Sequence, residues 1–106
     1  MRHWRELVMA KTIEYVGGSR VDFDESFDWY AKHSVGAAIG FASAVDEAID
    51  KIVANPSQFP STFGGCRYCA LNRYPFRIIF RDEPDRFVII ALAHAKRRPG
   101  YWHERT

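Results

Sequence analysis

The chain has 106 residues, 47% hydrophobic and 26% charged, the size and balance of a single globular domain, which excludes wholesale disorder and a repeat array. No apolar run approaches the roughly 20 residues needed to cross a bilayer, and the opening Met1-Arg-His-Trp-Arg-Glu6 lacks the apolar segment of a secretion signal, so a cytoplasmic protein is expected. The net charge of +2 hides a division: residues 1–55 carry six basic and nine acidic side chains, and residues 56–106 carry nine and four.

Eight of the nine cations in the second half are arginine. A planar guanidinium fork suits phosphate, so that half points to a polyanion such as nucleic acid, beside the plainer reading of a solvated basic surface.

Residues 1–8 read as an extension, because Met9 would itself make a natural start. Thr12 to Val16 alternates as a strand does, and Gly17-Gly18 marks a break after it. Ser19 and Asp22 resemble a capping box, and Phe23, Phe27 and Tyr30 follow at helical spacing, which predicts a helix over Arg20 to His33. Ser34 is the next N-cap. Ala38, Phe41, Val45, Ala48 and Ile52 then recur at steps of three and four until Asn55-Pro56, with Asp46, Glu47 and Asp50 on the opposite, exposed face.

Pro56 to Gly65 reads as a loop. Three strands follow, over Arg67 to Asn72, Phe76 to Arg81 and Arg86 to Ala93, separated by Tyr74-Pro75 and Asp82 to Asp85 turns. Short connections favour an antiparallel meander. Phe87 to Ala93 is apolar on both faces and so belongs in the middle of the sheet. The predicted class is α+β, in the order βααβββ, with two N-terminal helices packed on one face of a twisted, mainly antiparallel sheet and one domain over residues 1–106. Cys66 and Cys69 flank Arg67-Tyr68; no histidine lies at finger spacing from them and a strand follows, so they read as two reduced, apolar residues.

This element order, the Tyr74-Pro75-Phe76 turn before the middle strand, Phe27-Asp-Trp29-Tyr30 in the first helix and the tail His94-Ala-Lys96-Arg97-Arg98-Pro99-Gly-Tyr101-Trp102 together resemble the RelE/ParE toxin superfamily over roughly residues 11 to 105. The resemblance implies the toxin of a bacterial type II toxin-antitoxin pair, encoded beside an antitoxin protein that silences it, with no cofactor. It also implies one of two targets. RelE-like members cut messenger RNA on the ribosome without a metal, and ParE-like members inhibit DNA gyrase by binding; a decayed, non-toxic antitoxin-binding module is a third reading.

Metal-free RNA cleavage needs a base, an acid and cations around the phosphate. Arg97 and Tyr101 take such roles by resemblance, and His94 takes one on chemistry, because imidazole changes charge near neutral pH. His94 is expected on the strand face of Ile90 and Leu92. Arg77 and Arg81 share a face and Arg67 and Arg73 share a parity, so the four make a candidate phosphate groove, with Lys96 and Arg98 as further target-contacting cations. These residues tilt the expectation to RNA cleavage; the scarcity of lysine, Lys96 alone in the basic half, weakens that lean without reversing it, and gyrase inhibition stands as the alternative. Each residue also has a plainer role: Arg77 and Arg81 as solvated charges, His94 as a strand cap, Tyr101 and Trp102 as aromatics closing the core. Phe59, Phe63, Phe87 and Trp29 are the candidate antitoxin contacts.

Overall fold

The computed structural model describes residues 11–106, and the segment read as an N-terminal extension lies outside them. Thr12–Tyr15 forms strand β1. The sequence marks Gly17-Gly18 as a break, yet the pair opens helix α1, Gly17–His33, whose N-cap is Val16 with no side-chain capping bond. The reason lies in the sheet: the Val16 N–H is tied to the Ile89 carbonyl at 3.1 Å, so the strand passes into the helix without a loop. Ser19 is therefore inside the helix rather than ahead of it. Its hydroxyl donates to the Val16 carbonyl at 2.7 Å, and both Ser19 and Asp22 are buried.

Helix α2, Val35–Ala54, starts where expected, with the Ser34 hydroxyl accepting from the Ala37 N–H at 3.2 Å. Ala38, Phe41, Val45, Ala48 and Ile52 are all buried, and Asp46, Glu47 and Asp50 are exposed. A short 3-10 turn at Pro56–Gln58 ends the helical half.

The remaining strands are β2 (Ser61–Thr62), β3 (Cys66–Ala70), β4 (Phe76–Asp82) and β5 (Arg86–His94). They form one sheet in the order β1-β5-β4-β3-β2, with β1 parallel to β5 and the other pairs antiparallel. Strand β2 is absent from the sequence reading because two residues in a Pro- and Gly-rich loop are too few to show alternation. Strand β5 is central, and its residues from Phe87 to Leu92 are buried. Phe87 is therefore core, 3% exposed, and not the partner contact the sequence suggests, because β1 and β4 flank its strand.

Both helices pack on one face, where the α2 stripe meets Ile78, Phe80, Phe87, Ile89 and Leu92. Each such side chain contributes about 1.5–3 kcal/mol of transfer free energy when fully buried. A smaller cluster of Cys66, Ile79, Val88, Ile90, Ala91 and Trp102 occupies the opposite face under the C-terminal tail. Cys66 and Cys69, three apart on β3, thus belong to opposite faces and cannot bridge or share one ion. Burial pushes both thiols above their ordinary range.

A bulge decides which face the end of β5 presents. Ile79 stands opposite Ala91, but Phe80 stands opposite Ile89, so Ile90 is an extra residue. Ile90 and Ala91 both join the tail-side cluster and Leu92 returns to the helix side. His94 is accordingly not on the face of Ile90. It sits opposite Phe76 in the ladder and meets that ring edge-on, with centroids 4.8 Å apart.

Candidate functional site

Strand β1 ends at Tyr15, opposite Ile89, so the backbone of β5 beyond that point has no strand beside it. Unpaired buried amides and carbonyls are costly, and three side chains meet them. The Ile90 carbonyl accepts from Arg105 Nη1 at 3.1 Å, the Leu92 N–H donates to Asp22 Oδ2 at 3.1 Å, and the Leu92 carbonyl lies 3.0 Å from the Tyr101 hydroxyl.

Asp22 is the centre of this arrangement. Its side chain is 2% exposed. Oδ2 also accepts from Arg105 Nη1 at 2.8 Å and from the Tyr101 hydroxyl at 3.0 Å, while Oδ1 lies 3.4 Å from Arg105 Nη2 and 3.7 Å from Arg97 Nη1. Two guanidiniums stand over the Tyr101 ring, Arg97 at 3.9 Å and Arg105 at 5.1 Å from its centroid. Burial, with the charge and hydrogen bond of Asp22 behind it, raises the Tyr101 hydroxyl far above its ordinary range against the opposing pull of the two arginines. Burial disfavours the Arg105 charge, and Asp22 outweighs it, so that guanidinium is held more basic than usual.

The helix is built to let Arg105 through. A Cβ on Gly18 would stand 2.5 Å from both Cζ and Nε of Arg105, so glycine there is a matter of space. Neither Asp22 nor Arg105 stands out as a site residue in the sequence. The signal was present: Ser19, Asp22, Ser26 and Tyr30 lie at steps of three and four, so Asp22 shares a stripe with Tyr30, and a carboxylate there calls for a cation from elsewhere in the chain.

This network anchors the tail that carries the candidate residues. His94 closes β5; its Nδ1 accepts from the Lys96 N–H at 2.9 Å, which leaves the proton of the neutral ring on Nε2. Arg97 is half exposed. His94 and Arg97 together form the ridge between two clefts. On the helix side, a cleft of about 580 Å³ is lined by Glu25, Trp29, Tyr30, Phe76 and Leu92 as well as that ridge. On the tail side, a cleft of about 440 Å³ is lined by Tyr68, Arg77, Arg98, Tyr101 and His103, again with the ridge. No Asp or Glu lines the second cleft among the described residues, and Arg77 stacks on Tyr68 at 4.4 Å. It is an anion-attracting surface with aromatic walls.

The structure thus brings Arg77, His94, Arg97, Arg98 and Tyr101 to one cleft. It places the other sequence candidates elsewhere. Arg67 stands opposite Phe80, on the helix side of β3, with Nη1 donating to the Phe59 carbonyl at 2.6 Å. Arg73 occupies a left-handed turn with φ 72°. Arg81 shares the face of Arg77, and its Nε donates to Glu83 at 2.7 Å. Lys96 is exposed beside the ridge.

Among known proteins, a solved structure described as the chromosomal ParDE TA system from P. aeruginosa is similar in fold, with a TM-score of 0.67 and 21% identity over 81% of this chain and 97% of that one. No curated protein matches the chain. The family model for the ParE toxin of the type II toxin-antitoxin system, parDE, matches residues 18–99, which run from the glycine beside Arg105 through the His94–Arg97 ridge, and the chain belongs to that family.

Proposed function

We propose that the chain is a growth-arresting toxin, silenced by a cognate antitoxin, that acts by binding DNA gyrase through the cationic cleft and its ridge rather than by cutting RNA. The observation that carries this reading is the state of Tyr101. Its one hydroxyl proton faces two fixed acceptors, Asp22 Oδ2 and the Leu92 carbonyl, and burial beside a carboxylate holds the group in its neutral form. A general acid or base must exchange its proton readily near the working pH, and Tyr101 is built for the opposite. The residue serves to hold Arg97 in place by its ring.

The purified protein is expected to inhibit supercoiling by gyrase. Full supercoiling at an excess of protein that still arrests growth would sink the reading. One observation favours RNA cleavage instead: His94 Nε2 and the Arg97 guanidinium sit on the same ridge over a cleft without carboxylates. In that case His94→Gln abolishes new message ends in primer extension while antitoxin binding persists; under the gyrase reading no such ends form in the parent protein.

A further inference from the structure

The arginines of the tail-side cleft have donors to spare. Elsewhere in the fold the guanidiniums are spent at home: Arg81 and Arg86 on Glu83, Arg105 on Asp22, and Arg67 on the Phe59 carbonyl. Arg77 and Arg98 are exposed and meet no carboxylate among the described residues. Arg97 reaches Asp22 only at 3.7 Å, behind Arg105 at 2.8 Å. Two of the three are nevertheless fixed. The Arg77 guanidinium lies 4.4 Å from the centre of the Tyr68 ring and that of Arg97 lies 3.9 Å from the centre of Tyr101. Both rings pack against the tail-side cluster. Stacking holds a guanidinium by its face and leaves its N–H edges for another partner, so less side-chain freedom is lost when an anion arrives.

Shape and ring chemistry select the anion. The cleft, about 440 Å³, is floored by Thr62, Tyr68, Ile79 and Ala93 from four strands and bounded by the tail between His94 and His103. A duplex is read by an element that protrudes into one of its grooves; here the cations line a depression, which suits a single strand. At the rim, Phe63 is 50% exposed and stacks on the cleft residue His103, with ring centroids 3.8 Å apart and planes at 13°. An exposed flat ring beside arginines is what an unpaired base stacks on, whatever its sequence. A run of carboxylates on a protein surface needs the cations but has no use for the rings.

We propose that this cleft grips a short stretch of single-stranded DNA, with phosphates on Arg77, Arg97 and Arg98 and a base against the Phe63–His103 pair. The inference rests on the reading of the chain as a gyrase-binding toxin. It adds that the toxin engages gyrase through the DNA the enzyme holds open, and not through the gyrase protein alone. The strand is bound and left intact.

The test titrates the full-length protein into a fluorescein-labelled oligothymidylate of about twelve nucleotides and reads anisotropy from about 50 to about 200 mM salt. Three phosphate contacts predict a slope of log affinity against log salt of about −2. Arg77→Ala and Arg98→Ala are each expected to weaken binding about tenfold and to make the slope shallower by about 0.7. Phe63→Ala weakens it about tenfold with the slope unchanged, which separates the base contact from the phosphate contacts. Arg20→Ala, which removes the same charge from the first helix, stays within a factor of about two of the parent. Inhibition of gyrase supercoiling falls in step with strand affinity across the variants. Failure of the parent to bind the strand, or binding of all three cleft variants within that factor, overturns the site and leaves the gyrase reading to stand on supercoiling. A duplex bound as tightly as the strand, an RNA strand bound more than about tenfold more tightly, or displacement by polyglutamate as readily as by unlabelled strand each overturns single-stranded DNA as the occupant. Undiminished inhibition by an Arg77→Ala protein that has lost the strand breaks the link to the DNA. A parent that binds the strand as expected and leaves supercoiling untouched removes the gyrase reading while the strand site remains.

Discussion

The carboxylate of Asp22 and the guanidinium of Arg105 meet at 2.8 Å across 83 residues of chain, joining the first helix to the C-terminal tail. Their side chains are 2% and 23% exposed, so the carboxylate is cut off from water and the guanidinium reaches it only in part. Replacing Asp22 by Ala leaves Arg105 without its counter-charge and the Leu92 N–H without its acceptor. The expected loss is about 3–5 kcal/mol, read as a lower midpoint in urea denaturation.

Gly18→Ala tests whether the helix was shaped around Arg105. By helix propensity alone the substitution gains up to about 1 kcal/mol. The added methyl group collides with the Arg105 guanidinium, so the single variant is expected to be less stable than the parent. In an Arg105→Ala background the collision is gone, and the same substitution becomes neutral or stabilising. A double-mutant cycle with no coupling between the two positions would refute the packing argument.

Tyr101→Phe separates a positioning role from a chemical one. Phenylalanine keeps the ring under Arg97 and loses one hydrogen bond, a cost of about 1 kcal/mol. Growth arrest on induction is expected to persist. Abolition of arrest in a variant that remains folded would restore Tyr101 to the chemistry.

Stability at high pH follows from the same hydroxyl. Its value in the folded protein is raised, through burial first and Asp22 second, above the ordinary 10.0. A group so raised contributes stability in full below its unfolded value and loses it as pH climbs through the folded one. The denaturation midpoint of the parent is therefore expected to fall as pH rises above that ordinary value, and Tyr101→Phe should flatten this limb. Equal slopes in the two proteins would count against it.

Arg97 is half exposed and lies 3.7 Å from Asp22 Oδ1, so it is not needed to neutralise that carboxylate, which Arg105 already meets. Arg97→Ala is expected to abolish growth arrest with a melting temperature close to that of the parent. Arrest undiminished in this variant would remove the ridge from the toxic surface.

The helical half of the fold was legible because its pattern is local. The stripe from Ala38 to Ile52, the Ser34 cap and the Asn55-Pro56 stop each depend on neighbours within a few residues. The longer strands were legible by composition, since Phe87 to Leu92 could only be central, whereas the two-residue β2 was not. The site was legible in part. His94, Arg97, Arg98 and Tyr101 stand close together in sequence and share one cleft in the fold, and Arg77 reaches the same cleft from β4. Arg67 could not be placed, because its face depends on which residue of β4 it opposes.

By itself, then, the sequence determined the order of the two helices and the four longer strands, the core stripe of α2 and the tail that marks the family. The tertiary structure alone decided that Gly18 makes room rather than a break, that Asp22 receives the tail rather than caps a helix, and that His94 and Ile90 lie on different faces. The physical reason is the same in all three: an extra residue in β5 and a buried charge pair 83 residues apart are relations between distant segments, which no local periodicity encodes.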